Sequence, residues 1–272
     1  MIATSTFMAS DGDGYELQMG RWSRRLAPKL ITFAGTIGGA RILDVGCGTG
    51  SLSFALATNP AIGRIYGVDV SPDYIAYATQ HNSDPRITFQ TADACALPFA
   101  DASFDHALSM LVLHFIPNAD AAVREMRRVT RPGGTVAAAI WDARGGLVFS
   151  RMLFDTAAVI DPGAAVRRAK AFTRPMSRPG DLERAWRAAG FIDVVQDMLS
   201  IRMDFSAFAD FWAPFEGKDG PFAEYIGSLA PAMKAVIKTA VEHAYLDGDP
   251  DGPRSYVATA WVVRGTVPPG RM

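Results

Sequence analysis

Cysteine is almost absent from this sequence: Cys47 and Cys95 are the only two in 272 residues. Two thiols exclude a disulfide framework and any cysteine-rich zinc site. A basic excess is also missing, since 27 Lys and Arg stand against 28 Asp and Glu, a formal net charge of −1. A polyanion binder shows a basic surplus, so nucleic acid is not expected as a partner. No stretch approaches the ~18 unbroken apolar residues of a membrane helix, so no membrane span is expected. The opening MIATSTFMASDGDGYE has neither a basic start nor an apolar run. It does not read as a secretory signal, and a cytoplasmic location is the expectation. Internal repeats and low-complexity tracts are likewise missing. What the chain does have is core material, with 49% hydrophobic and 20% charged residues. That balance and length suit one large α/β domain or two small ones.

The patterning becomes informative at 40–45, where Ala-Arg-Ile-Leu-Asp-Val runs into Gly46-Cys47-Gly48-Thr49-Gly50. A short apolar run before a glycine cluster predicts a buried parallel strand and a tight turn. Residues 51–57 then space their apolar side chains helically. Further strands are predicted at 64–68, 86–90, 104–110 and 135–141. Ser71-Pro72 opens one intervening helix with a capping side chain and a first-turn proline. Another helix is predicted over 119–130 and stopped by Arg131-Pro132-Gly133-Gly134. Strands also read at 191–203 and 256–263, after a helix at 181–189. The prediction is an α/β fold, a doubly wound, mostly parallel seven-stranded sheet with helical cap insertions. The insertions are residues 143–177 and 205–253. Ahead of the sheet, Tyr15, Met19, Trp22, Leu26, Leu30 and Phe33 form a helical apolar stripe. Residues 1–40 are therefore expected to be a helical lid, split in two by Pro28, on a domain spanning 41–272.

In open α/β sheets, ligands bind beyond the carboxyl ends of the strands, near the reversal of strand order. Three features fall at such ends. The glycine loop lets the backbone approach a ligand closely. Asp69 ends the second strand, where a carboxylate accepts from both hydroxyls of a ribose. Asp93-Ala94 follows the third strand, where a carboxylate takes an adenine amino group or caps a helix. Together they outline an adenosine site. The glycine spacing is G-x-G-x-G rather than the G-x-G-x-x-G/A of nicotinamide dinucleotide sites. Asp44 beside it repels a pyrophosphate and suits a ligand carrying an ammonium and a sulfonium.

ILDVGCGTG (42–50), Asp69, Asp93-Ala94, FDHALSMLVLHFI (104–116) and RPGG (131–134) together resemble class I S-adenosylmethionine-dependent methyltransferases. The resemblance is to the type 11 group, which includes ubiquinone and menaquinone methyltransferases, and to that family's Rossmann-like fold. It implies S-adenosyl-L-methionine as cofactor, with Asp44, Gly46, Cys47, Gly48, Asp69, Val70, Asp93 and Ala94 around it. It also implies that Met110 and Leu111 line the cleft, and that the leader with Tyr15 and Arg21 closes over the methionine end. From the residues themselves, Tyr15 either covers the cofactor or continues the apolar stripe. Arg21 either pairs with the cofactor carboxylate or is solvated, and Cys47 is a spacer.

Histidine is the usual general base near neutral pH, and there are four. His81 reads as solvated and His106, in a strand beside Asp105, as a satisfied core residue, while the facing of His243 on an insertion helix is undefined. His114, after the fourth strand, is the candidate for base or substrate contact, or else a helix-start residue. The acidic turn at 247–252 lacks the closing glutamate of a calcium loop, and no metal is expected. The expected reaction moves a methyl group to a small, partly apolar acceptor through an oxygen or carbon nucleophile. Phe208, Phe211, Trp212 and Phe215 are expected on one face of the cap, packed on the sheet or lining the acceptor site. A non-catalytic S-adenosylmethionine sensor and a nicotinamide-dependent oxidoreductase are the other readings, and oligomeric state is undefined.

Overall fold

The computed structural model describes residues 5–7, 12–35, 41–217 and 220–270. Ala40, read above as the start of the first strand, lies outside the described residues, as does part of the 1–40 segment. The five predicted parallel strands are β1 Arg41–Val45, β2 Arg64–Asp69, β3 Ile87–Thr91, β4 Phe104–Met110 and β5 Thr130–Trp141. The last two are β6 Ile192–Phe205 and β7 Arg254–Thr266. They form one seven-stranded sheet in the order β3-β2-β1-β4-β5-β7-β6. Pairing is parallel from β3 through β5. β7 inserts antiparallel between β5 and β6, so the sheet is mixed. Strand order reverses between β1 and its neighbours β2 and β4, which opens a crevice at their carboxyl ends.

The RPGG segment follows the end of the helix as predicted, but it also belongs to the next strand. The helix Ala119–Val129 ends before it, and the segment lies inside β5. Thr130 pairs with Phe104 and Thr135 with His106, so residues 131–134 bulge out of register. Gly133 donates to the Val267 carbonyl at 2.9 Å, which gives the bulge a partner outside the β4 ladder.

Pro28 does not split the leader either. One helix, Arg21–Ala34, runs through it, preceded by a π-helical turn at Glu16–Gly20 and a short helix at Gly12–Tyr15. Pro28 is exposed, while Trp22, Leu26 and Leu30 are at most 1% exposed. Burial of three large side chains, each stabilising by about 1.5–3 kcal/mol, outweighs the ~3 kcal/mol of an interior proline. The leader helix thus belongs to the core on one sheet face, with Leu52, Ile65 and Phe205. On the other face, Val123, Met126 and Trp186 pack against Leu43, Val45 and Phe104.

The first insertion holds helices Val148–Ala157 and Pro162–Phe172. The second holds Phe208–Trp212, Gly220–Gly227 and Pro231–Leu246. The aromatic face of the cap packs inward. Phe211 and Phe215 lie 5.3 and 4.6 Å from Phe149 by ring centres, and Phe205 lies 5.1 Å from Phe211. Among the described residues no helix is long and apolar enough to cross a membrane.

Candidate functional site

The loop after β1 turns on glycines in the left-handed region. Gly46 has φ +72°, and a Cβ there would stand 2.4 Å from Val112 Cγ2. Gly50, at φ +95°, delivers the chain into the helix Ser51–Ala57. The loop is tied to β2, since Gly46 and Cys47 donate to the Val68 carbonyl at 2.7 and 2.9 Å. Asp69 reinforces this: its Oδ2 accepts from the Gly48 N–H and its Oδ1 from the Ser71 N–H, both at 2.9 Å. Ser71 in turn accepts from the Tyr74 N–H, so the predicted cap starts the next helix. Asp93 folds its loop by accepting from the Cys95 N–H at 2.8 Å.

These residues wall one cleft. Asp44, Gly46, Cys47 and Gly48 stand at one side, with Asp69, Val70, Asp93 and Ala94 along it and Met110 and Leu111 from the end of β4. Tyr15 closes over it with its ring 5.4 Å from that of Tyr74, and its hydroxyl is 3.3 Å from Ser23 Oγ. Arg21 is not in this group. It ion-pairs with Asp210 at 2.8 Å and stacks on Trp22, tying the leader helix to the cap. Sequence spacing places Arg21 near Tyr15, but the two side chains leave the chain in different directions.

Electrostatics separates the two strand-end acids. Asp44 is 1% exposed, and burial pushes its carboxyl up to about 7, against the Ser53 hydroxyl that lowers it. Its Oδ2 accepts from Ser53 at 2.7 Å, while its buried Oδ1 has no partner. Asp69 is also raised by burial, opposed by the backbone N–H groups of Ser71 and Gly48. Burial raises the Cys47 thiol well above its ordinary value, so it is no nucleophile.

A second cavity of about 510 Å³ adjoins the cleft. Tyr15, Leu111 and Phe115 line both. Leu111 is held at φ +65°, a sparsely populated conformation for leucine. The cap supplies the outer wall through Phe154 and Phe222, not through the aromatic face expected from the sequence. His114 lies in this wall and is 6% exposed. Burial first, and the charge of Arg174 second, hold its imidazole well below the usual histidine range. It is neutral and weakly basic, which counts against the expected general base. His81 and His243 are exposed, and His106 accepts from the Thr135 N–H.

The type 11 family model described as a methyltransferase domain matches residues 43–138. That match makes residues 43–138 methyltransferase-like. An uncharacterized protein of Mycobacterium tuberculosis is 36% identical over 155 residues, covering 56% of this chain and 55% of that one. The 27-O-demethylrifamycin SV methyltransferase of Amycolatopsis mediterranei is 34% identical over 117 residues, covering 42% and 43%. The chain spans about half the length of the curated relatives it matches. The Haemonchus contortus phosphoethanolamine N-methyltransferase 2, solved with S-adenosyl-L-methionine, shares the fold. Its TM-score is 0.58 at 17% identity, covering 95% of this chain and 57% of that one.

S-adenosylmethionine is the cofactor of these methyltransferases, and the cleft fits it. The unpartnered Oδ1 of Asp44 offers a buried acceptor for a cationic group. In its ionised form Asp44 repels a pyrophosphate there. Sequence reading missed Phe7 and Ser23, which also line this cleft, and Glu16, which accepts from the Thr49 hydroxyl at 2.6 Å. The apolar stripe and the family resemblance pointed to the leader, but neither singled out these three residues.

Proposed function

We propose that the protein transfers a methyl group from S-adenosylmethionine to a small, partly apolar acceptor through an oxygen or carbon nucleophile. The observation that carries this reading is the second cavity, joined to the cleft through Tyr15, Leu111 and Phe115. A sensor that only binds cofactor has no use for such a space. The naming of a rifamycin methyltransferase among the relatives supports a small acceptor.

When bound, S-adenosylmethionine supplies a methyl group activated by a sulfonium. In this reading Asp44 holds the ammonium, Asp69 accepts from the ribose hydroxyls, and Asp93 with Ala94 takes the adenine. Gly46, Cys47, Gly48 and Val70 complete the backbone walls, and Met110 and Leu111 shape the floor between cofactor and acceptor. The 1–40 segment serves as a lid at its Tyr15 end, over a domain comprising 41–272. Tyr15 and the cap exclude water, and alignment does most of the work. Two free thiols suit a reducing compartment, so we place the reaction in the cytoplasm. An enclosed acceptor site disfavours folded proteins and nucleic acid.

The test is a screen with methyl-labelled S-adenosylmethionine against phenols, quinol precursors and fatty or polyketide acids, with protein and RNA alongside. Transfer to one of the small-molecule classes is expected. Transfer to protein or RNA alone overturns the reading.

A further inference from the structure

The second cavity is unevenly charged. Arg167, Lys170 and Arg174 reach its wall against a single carboxylate, Glu224. Glu224 is already taken by Arg167 at 2.6 Å, and Lys170 is exposed. Arg174 differs from both. It is half-buried, and among the described residues neither a carboxylate nor a hydrogen-bond acceptor meets its guanidinium. Its guanidinium carbon lies 4.6 Å from the centre of the Phe115 ring. Phe115 also lines the cofactor cleft, so an unpaired cation stands beside the boundary of the two spaces. Burial lowers its pKa to about 10, which still leaves it charged at neutral pH. A cation with unsatisfied donors in such a place gains strongly from an anionic ligand with two acceptor oxygens.

The cavity is also poor in bases. His114 is weakened by burial and by Arg174 itself. Tyr15 is pushed up to about 12 by burial and stays protonated. Glu224 is held by Arg167. None of them is suited to removing a proton from an alcohol or a carbon acid, so the nucleophilic atom must arrive already deprotonated. Much of the remaining wall is apolar, with Met19, Trp141, Phe154 and Phe222. Thr6, Gln18, Ser150, Thr173 and Ser177 are its uncharged polar members.

We propose that the acceptor is an apolar carboxylic acid, bound as its carboxylate by Arg174 and methylated on that carboxylate. This rests on the methyltransferase reading of the same site and names its substrate class. A lone pair of the carboxylate oxygen forms the new O–CH₃ bond, and the S–CH₃ bonding pair leaves with sulfur. A carboxylate and a sulfonium become a methyl ester and a thioether, with no proton released. The ester is neutral, so its hold on Arg174 weakens and product departs.

The experiment begins with calorimetry of S-adenosylhomocysteine binding to the full chain. Decanoate, 4-phenylbutyrate and indole-3-acetate are then titrated against their primary amides with S-adenosylhomocysteine saturating. At least one acid is expected to bind about tenfold tighter than its amide. Arg174→Gln should bring that ratio to within about twofold of unity, and Arg174→Lys should keep part of the preference. Cofactor-product affinity should stay within about twofold in both variants. With labelled S-adenosylmethionine, the favoured acid should yield its methyl ester. Amides binding as well as acids, no acid binding at millimolar concentration, or a preference surviving Arg174→Gln each overturn the proposal. Failure of S-adenosylhomocysteine itself to bind overturns the methyltransferase reading instead.

Discussion

Two carboxylates at neighbouring strand ends carry opposite demands. Asp69 is satisfied within the protein, joining the Gly48 and Ser71 N–H groups, whereas Asp44 keeps one buried oxygen free. Asp69→Ala should weaken S-adenosylhomocysteine binding by about 1.5–3 kcal/mol, the scale for losing charged hydrogen bonds, as read by calorimetry. Asp44 predicts a pH dependence. Burial raises its carboxyl in the folded state from 3.8 to about 7, so the folded chain keeps a proton that the unfolded chain has lost between those values. Its contribution to stability is therefore most favourable below the unfolded value and declines as pH rises toward 7. Asp44→Asn removes that penalty. Without ligand it should be more stable than wild type above neutral pH, by on the order of 2–4 kcal/mol in denaturant titrations. The same variant should bind S-adenosylhomocysteine more weakly and lose the rise in affinity that ionisation of Asp44 gives wild type near neutrality.

At the scale of elements, the leader is less a detachable lid than a helix with a lid at its amino end. Trp22, Leu26 and Leu30 are buried in the sheet core, while Tyr15 reaches the cleft. Trp22→Ala should destabilise the protein by about 3–5 kcal/mol, and deletion of the whole leader helix should leave no cooperative thermal transition. Tyr15→Ala should instead weaken cofactor-product binding with little loss of stability. Either substitution behaving like the other would mean the two ends share one role. The cap gives a matching contrast. Phe149 is fully buried among Phe205, Phe211, Phe215 and Phe222, and Phe149→Ala should cost about 3–5 kcal/mol. Val159, on the same insertion, is 88% exposed. Val159→Ala should fall within about 0.5 kcal/mol of wild type.

For the whole molecule, the two sheet faces, leader and cap form one structure around a ligand cleft, so ligand binding should appear as global stability. S-adenosylhomocysteine at about 100 times its Kd adds roughly 2.7 kcal/mol by mass action. In a chain of this size that raises Tm by roughly 5–10 °C. NAD at equal concentration should give no shift, because Asp44 and the glycine spacing do not suit a pyrophosphate. A larger shift with NAD in differential scanning fluorimetry would return the protein to the nicotinamide reading.

Much of this was legible because it is local. Alternating apolar runs, glycine turns and Ser71-Pro72 encode backbone conformation through near neighbours, and they marked five parallel strands, the glycine loop at Gly46 and the strand-end acids Asp44 and Asp69. β4 was read to the residue, since Phe104–Met110 is a buried strand with turns at both ends. Other features depended on partners distant in sequence. The antiparallel entry of β7 between β5 and β6 is a matter of long-range pairing, to which periodicity is blind. Pro28 stays helical because tertiary burial of its neighbours outweighs its propensity. Arg21 turns to Asp210, and the aromatic face of the cap to Phe149, because packing decides direction among residues that spacing treats alike. Arg174 drew no attention as one arginine among many. Only the folded chain brings it onto Phe115 and beside His114, where burial without a carboxylate makes its charge available to a ligand.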